Sequence, residues 1–348
     1  MGGCLKSNQM ILDSTDNRWN DYLTQFPDSV QDIYYTSQYY QVEQTHQEGI
    51  GQLFVYEGNN NIAVYPFIKR PILNKSLKGK YYDIETAYGY GGPIVKSRDK
   101  IFEQVFEQAF LKYCQKEGIV DEFVRFHPLL NNEDIFRQKI QVSHNRNTVW
   151  LNLELPLEDI WMHEISTQNR NTIRKCEKSG LYVEEGDNYG EFIEIYNDTM
   201  KRIGADKFYH FHNSYYNYLK TAKGTILLYV KKNDEILAAA IFLGYGNYFH
   251  YHLSGSKKEY LKLAPNNILL WEAIKYAKKN GYKRMHFGGG LTDSEEDNLF
   301  RFKQKFSSCK ADFYIGRRIH NKEIYFRLIE EWEEKNKQKA KLLLQYRM

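Results

Sequence analysis

The chain has 348 residues, 42% of them hydrophobic and 26% charged, a composition that fits a soluble globular protein of roughly two domains. Its 48 Lys+Arg against 44 Asp+Glu leave a net charge of +4, too small to argue for general nucleic-acid binding. No apolar run approaches the roughly 20 residues of a membrane span, and the opening MGGCLKSNQM lacks the apolar core of a signal peptide, so a cytoplasmic protein is expected.

In chain order, TDNRWNDYLTQF (15–26) reads as a helix, and Ser37 to His46 as another behind a serine cap. The β-prone runs Gln52–Tyr56 and Ile62–Lys69 flank the turn residues 57–61, a hairpin signal. In YYDIETAYGYGGPIV the glycines and Pro93 rule out a regular helix and place Asp83, Glu85, Tyr88 and Tyr90 near a loop. A helix over Ile101–Lys116 carries Phe102, Val105, Phe106, Ala109 and Tyr113 at helical spacing, and a strand over Glu122–His127 follows Gly118.

The second half opens with the strand TVWLNLEL (148–155), and Pro156 marks a border. One long helix is expected to Gly180, then helices over Tyr189–Ile203 and Asn213–Ala222 and a hairpin of Thr225–Lys231 with Ile236–Leu243. Tyr248 to Gly290 reads as strand, loop, helix, strand. Leu270, Ala273, Ile274 and Ala277 form the helix's apolar face, Pro265-Asn266 its start and Gly281 its end. Such a start offers unpartnered N–H groups to an anion, or belongs to an ordinary connection with no ligand. A helix over Ser294–Phe306, a strand over Ala311–Ile315 and a charged helix from Lys322 close the chain.

The two halves repeat the order hairpin, aromatic and glycine-rich segment, amphipathic helix, glycine, strand. YCQKEGIVDEFVRFHP parallels YAKKNGYKRMHFGGG, and a duplicated α/β unit with mixed sheets accounts for both.

Arg170, Arg174 and Lys178 recur at i, i+4, i+8 with Lys175 beside them. Like charges at that spacing repel, so either an anionic ligand such as a phosphate, or pairing with Glu177, Glu184 or Glu185, or plain solvation is expected. His210/His212 and His250/His252 sit two apart, which suits hydrogen-bonded histidines better than a metal site, and no metal is expected. Cys4, Cys114, Cys176 and Cys309 lie too far apart for a metal or redox motif and are read as reduced thiols. Gly288-Gly289-Gly290 is neither a P-loop nor a dinucleotide fingerprint; it suits close backbone approach, to a ligand or to a neighbouring helix.

RNTIRKCEKSG (170–180), YHLSGSKKEYLKLAPNNILLWEAIKYAKKNGYKRMHFGGG (251–290) and FRFKQKF (300–306), with YYDIETAYGYGGP (81–93) and RFHP (125–128), resemble the Fem-type aminoacyl and peptidyl transferases and related GNAT-superfamily acyltransferases. The resemblance covers most of residues 10–317 and implies tandem GNAT-like domains: one over 1–150, a second over 151–317, and a C-terminal helix, 318–348, packing back on the first.

The activity implied is transfer of an acyl or aminoacyl group from an activated ester or thioester to an amine of a cell-envelope or nucleotide-sugar precursor, as in peptidoglycan biosynthesis. Acyl-CoA or aminoacyl-tRNA would serve as co-substrate, with no tightly bound cofactor. Expected partners are a small-molecule or lipid-linked amine acceptor, with tRNA and a membrane surface as further candidates. The chain lacks the long coiled-coil insertion of the founding members, and Tyr260–Asn267 stand where the glycine-rich CoA loop would be.

On this resemblance Lys303 meets the developing oxyanion and Phe302 walls the pocket. Arg170 and Arg174 hold phosphates, and Tyr88, Tyr90 and Gly91 shape an acceptor cleft. Asp83 or Glu85 orients or deprotonates the amine. Tyr251, Ser254 and Asn266 are further substrate-binding positions. The alternative is a non-catalytic GNAT-like module binding a nucleotide-sugar or RNA.

Overall fold

The computed structural model describes residues 8–136 and 140–348. Gly3 and Cys4 lie outside these residues; Cys114, Cys176 and Cys309 are free thiols. The chain divides into two compact units, one of residues 1–30, 34–145 and 313–348, the other of 31–33 and 146–312.

In the first unit β1 (Asn8–Asp13), β2 (Ile50–Gly58), β3 (Asn61–Pro71), β4 (Tyr82–Glu85) and β6 (Ile119–Arg125) follow one another across a mixed sheet, and the short β5 (Ile94–Val95) pairs with β3. The 315–319 segment of β13 (Lys310–Ile319) pairs antiparallel with β6. Only β4 and β6 run parallel among these strands, with α3 (Lys100–Lys116) between them in sequence. Asp99 caps α3 by accepting from the amides of Ile101 and Phe102. Phe102, Phe106 and Phe110 then fall one turn apart and pack on Phe54, Tyr65 and Phe67. Val105, expected on this face, is 42% exposed: the buried stripe runs through 102, 106 and 110, and residue 105 lies on its flank. Helices α1 (Arg18–Leu23) and α2 (Ser37–His46) belong to the same unit. Ile324, Tyr325 and Leu328 of α10 (Lys322–Asn336) pack against Val120.

Asp83 and Glu85 lie on β4 rather than in a loop, inside a buried ionic cluster. Arg70 bonds to Asp83 at 2.8 Å and also to Glu85; Arg125 reaches Glu85 at 3.2 Å, and Arg347 pairs with Asp83. Burial pushes the Glu85 carboxyl up, but Arg125 and Arg70 outweigh it and hold the group below its ordinary range. The Tyr346 hydroxyl lies 2.8 Å from Asp83 and 2.7 Å from Asp121. One hydroxyl proton serves both carboxylates, and burial first and the Asp83 charge second push Asp121 well above the usual carboxylate range. An acid whose folded value is raised favours the fold at low pH and costs stability as pH rises through that value. Asp121→Asn is therefore expected to raise the melting temperature at pH 8 and to leave it nearly unchanged at pH 4. A lowered melting temperature at pH 8 would contradict this assignment.

In the second unit the order is β7 (Gln141–Asn152), β12 (Arg284–Gly289), β11 (Tyr248–Ser256), β10 (Glu235–Tyr245), β9 (Thr225–Lys232), β8 (Tyr182–Glu185). Here again one pair, β11 and β12, runs parallel, with α8 (Pro265–Lys279) between them in sequence. Leu270, Ala273, Ile274 and Ala277 of α8 are fully buried in the unit's core. The long helix expected before Gly180 is broken. A turn α4 (Leu157–Asp159) runs into a π-helical turn at Ile160–Glu164, and Ser166 starts α5 (Thr167–Lys178) anew by accepting from the amide of Asn169. The helix expected over Ser294–Phe306 is confined to α9 (Asn298–Gln304).

Neighbouring residues of β11 serve opposite faces. Ser256 bonds to Asn266 at the start of α8, while Gly255 faces α6 (Tyr189–Ile203) so closely that a Cβ would lie 2.7 Å from the Ile195 carbonyl oxygen. Among the described residues, no helix is long and apolar enough to cross a membrane.

Candidate active site in the second unit

The parallel pair β11–β12 stays in register for three residue pairs, ending at His250–His286. Beyond that point β11 continues to Ser256 beside β10, and β12 continues to Gly289 beside β7. The strands part, and polar side chains from four elements gather at the opening.

Lys303 on α9 donates to the Gly289 carbonyl at 2.7 Å and lies 5.8 Å from the centre of the Tyr251 ring. It is 8% exposed. Burial pushes its ammonium down to about 7, Arg146 adds to that fall, and Asp297 opposes it. Asp297 caps α9 through the amides of Leu299 and Phe300 and also accepts from the amides of Leu291 and Thr292. Burial raises this carboxyl, and the four backbone N–H groups outweigh it, so Asp297 is held ionised below its ordinary range.

The triple glycine makes this packing feasible. A Cβ on Gly290 would lie 2.5 Å from Asp297, and one on Gly289 would lie 2.8 Å from Arg146. Arg146 donates to the Gly290 carbonyl at 2.7 Å. The close approach at these glycines is that of the Arg146 and Asp297 side chains.

Tyr251 and Ser254 bond to each other at 2.5 Å. Phe302 packs edge-on to Phe306, with ring centres 5.5 Å apart. Asn266 accepts from Ser256 at 3.1 Å, and Asn267 beside it donates to Asn169 of α5 at 2.6 Å. The first turn of α8 is thus braced from both sides, with Ala264 before it in the left-handed region at φ 52°.

The arginine helix is placed differently. Arg170 donates to the carbonyls of Trp161, Met162 and Ile165 and to the Thr167 hydroxyl, so its guanidinium closes the π-helical turn against α5. The pairing with Glu177, Glu184 or Glu185 is not what occupies it. Arg174 is exposed and lies 5.4 Å from the Trp161 ring centre, which in turn packs on Trp271.

In the first unit the corresponding opening is filled. After Glu85 the chain stays on β6, through the Thr86 amide to the Phe123 carbonyl and a bridge of Gly91 to Phe126. Asn132 and the Tyr35 hydroxyl both donate to the Gly91 carbonyl, and the Tyr39 hydroxyl donates to that of Tyr88. Tyr90 lies edge-on to Tyr34 and Phe313. Tyr88 and Tyr90 keep part of their surface exposed.

Lys303, Phe302, Tyr251, Ser254 and Asn266 therefore belong to one unit, and Tyr88, Tyr90, Gly91, Asp83 and Glu85 to the other. Sequence reasoning missed Arg146 and Asp297. The Asp-Asn-Leu-Phe start of α9 is a capping signal that could have found Asp297.

In the second unit a mixed sheet with a single parallel pair, β11 and β12, thus parts beside the buried Lys303. Residues 166–304, all within the second unit, match the family model of the acetyltransferase (GNAT) domain. Among solved structures, FemX is similar over 93% of this chain and 100% of its own, at 14% identity and a TM-score of 0.72. The C-terminal domain of a putative lysylphosphatidylglycerol synthetase from Agrobacterium fabrum is similar over 86% of this chain and 92% of its own, at 13% identity and a TM-score of 0.54. A tandem GNAT protein from the clavulanic acid biosynthesis pathway covers 90% of this chain with 98% of its own, at 9% identity and a TM-score of 0.50. At these identities the likeness is one of fold, and it agrees with the Fem-type resemblance of the sequence motifs. No curated protein matches the sequence.

Proposed function

We propose that the protein transfers an acyl or aminoacyl group from an activated ester or thioester to an amine, and that the second unit performs the transfer. The observation that carries this reading is the buried Lys303 at the opening between β11 and β12. A lysine that burial makes costly to charge gains most when negative charge develops beside it, so its interaction is stronger in the transition state than in the resting site. Phe302 walls the site, and Tyr251 and Ser254 line it. Asp83 and Glu85, deep among arginines, are assigned to the structure of the first unit and not to the chemistry. Arg174, with Lys175 and Lys178, remains available to a phosphate of either substrate, whereas Arg170 is a structural clasp.

The braced Asn266-Asn267 turn replaces a glycine-rich phosphate loop, which favours a donor held by other contacts than those made to CoA pyrophosphate. An aminoacyl ester of tRNA meets that condition. The FemX and lysylphosphatidylglycerol synthetase likenesses support a cell-envelope acceptor, either a nucleotide-linked precursor or a lipid-linked amine. The purified protein, incubated with acetyl-CoA, charged tRNA and UDP-linked precursors, is expected to give an acceptor mass shift. A ribonuclease-sensitive product identifies the tRNA donor. Binding without transfer across the panel would favour a non-catalytic module.

A further inference from the structure

Lys303 touches both strands just beyond the point where they stop pairing. Its Nζ donates to the carbonyl of Gly289, which follows the last paired β12 residue, His286, and it lies over the ring of Tyr251, which follows His250 on β11. The amine therefore stands across the gap between β11 and β12. Among the described residues the Gly289 oxygen is its one hydrogen-bond acceptor, and no carboxylate pairs with it. Asp297, the nearest candidate, spends its oxygens on the amides of Leu291, Thr292, Leu299 and Phe300.

An ammonium carries three N–H donors and here would leave two of them without a partner. A neutral amine leaves one and keeps a lone pair. Burial with a single acceptor and no counterion thus favours the uncharged form, the direction in which the group is pushed, to about 7. The groups that face it come from three further strands and from its own helix. Asp297 of α9 raises its basicity, Arg146 of β7 lowers it, β11 presents the Tyr251 ring and β12 the Gly289 carbonyl.

An uncharged amine is the group that an activated acyl carbon is brought to meet. The acceptor supplies one such amine, and Lys303 holds another at the same opening.

We propose that Lys303 is itself a site of acylation, taking an acyl group from an activated ester or thioester when the acceptor amine is absent; this rests on the acyl-transfer reading above. The Nζ lone pair bonds to the acyl carbon, and the carbon–oxygen or carbon–sulfur bond to the donor breaks. The proton leaving Nζ goes to the departing oxygen or sulfur, so atoms balance without another reagent. The product is an Nε-acyl-lysine, an amide without charge. It cannot meet an oxyanion as an ammonium does, so its formation stops turnover. The two protonation states of one residue then have opposite uses: the ammonium assists transfer and the free amine intercepts it.

4-Nitrophenyl acetate, an activated ester that needs no donor-binding contacts, tests this on the wild-type chain. After brief exposure between pH 6 and pH 9, peptide mapping by mass spectrometry is expected to show acetyl-Lys303 forming about tenfold faster than any exposed acetyl-lysine at pH 8. An ordinary lysine, at 10.5, is almost wholly charged there and Lys303 mostly neutral, an advantage reduced by the lower nucleophilicity of a weaker base. The rate at Lys303 should climb through about 7 and then level off, while surface lysines keep climbing. Lys303→Arg and Lys303→Met, shown to be folded by melting curves, should lose the fast site. Labelling of Lys303 no faster than that of surface lysines, or labelling without the plateau, overturns the proposal.

With the true donor and no acceptor, activity should decline in step with one acyl group on Lys303, and added acceptor should protect it. A chain that transfers to an acceptor, yet leaves Lys303 unmodified when the acceptor is withheld, overturns self-acylation alone. Fast, plateauing acetylation of Lys303 by 4-nitrophenyl acetate without transfer from any donor supports the reactive amine and overturns the transferase reading.

Discussion

Lys303→Met is expected to lower kcat and kcat/KM together by roughly 10²–10³-fold, the size seen when a preorganised oxyanion partner is removed. KM should change little, because the lysine's interaction grows only as charge develops. The same substitution should stabilise the fold. In the unfolded chain the lysine keeps its proton up to its ordinary value of 10.5, whereas in the folded chain it releases it at about 7. Between these values the unfolded state binds more protons, so stability rises with pH, and below about 7 the whole cost of burying the charge is present. Methionine removes that cost, so its gain, of the order of a few kcal/mol, is largest in acid and vanishes above 10.5. Melting temperatures of both proteins across pH, with single-turnover rates, check the two effects. Full transfer activity in a folded Lys303→Met protein would remove the lysine from the chemistry.

Arg70→Met is expected to destabilise the first unit by about 3 kcal/mol, at the lower end of the cost of breaking a buried pair. The cation joins Asp83 to Glu85, and its loss leaves each carboxylate with one arginine, Arg347 for Asp83 and Arg125 for Glu85. Glu85, held below its ordinary value in the fold, contributes stability above the unfolded value of 4.5 that is lost as pH falls through the folded one. Part of this contribution comes from Arg70, so the gap between the two proteins should narrow on acidification. Urea unfolding at pH 7 and pH 4 measures it. A loss below about 0.5 kcal/mol at pH 7, the range of an ordinary surface change, would mean that the remaining arginines suffice.

The fold was legible wherever one face of an element is apolar. Leu270, Ala273, Ile274 and Ala277 were readable from spacing, and all four are fully buried. The repeated order of hairpin, helix and strand was likewise readable, because each part carries a local signal. The break at Ser166 was missed since the apolar spacing of Trp161, Ile165 and Cys176 continues through it, although a serine three residues before the Asn169 amide it accepts from is a capping arrangement. The ionic cluster was beyond reach: Arg347 and Asp83 are 264 positions apart, and nothing local links them.

At the site, Lys303 was found through a motif, but the cause of its depressed basicity was not. Desolvation and the opposing influences of Arg146 and Asp297 arise from packing. The bulge of β11 at His252, which its pairing with β10 skips, was hidden for a related reason. β11 is covered on both faces, so its alternation carries no clear register, and an extra residue leaves no trace in the hydrophobic pattern.

The parting of β11 from β12 gives the second unit an edge in the interior of a sheet. An outer edge strand invites any extended chain to pair with it, and proteins guard against that with charge or short length. An edge flanked by strands on both sides is shielded from a second sheet by geometry alone. It can offer main-chain hydrogen bonds to a narrow, extended ligand while remaining closed to aggregation. In the first unit residues 86–91 stay beside the strand that follows, and no such inner edge is left there.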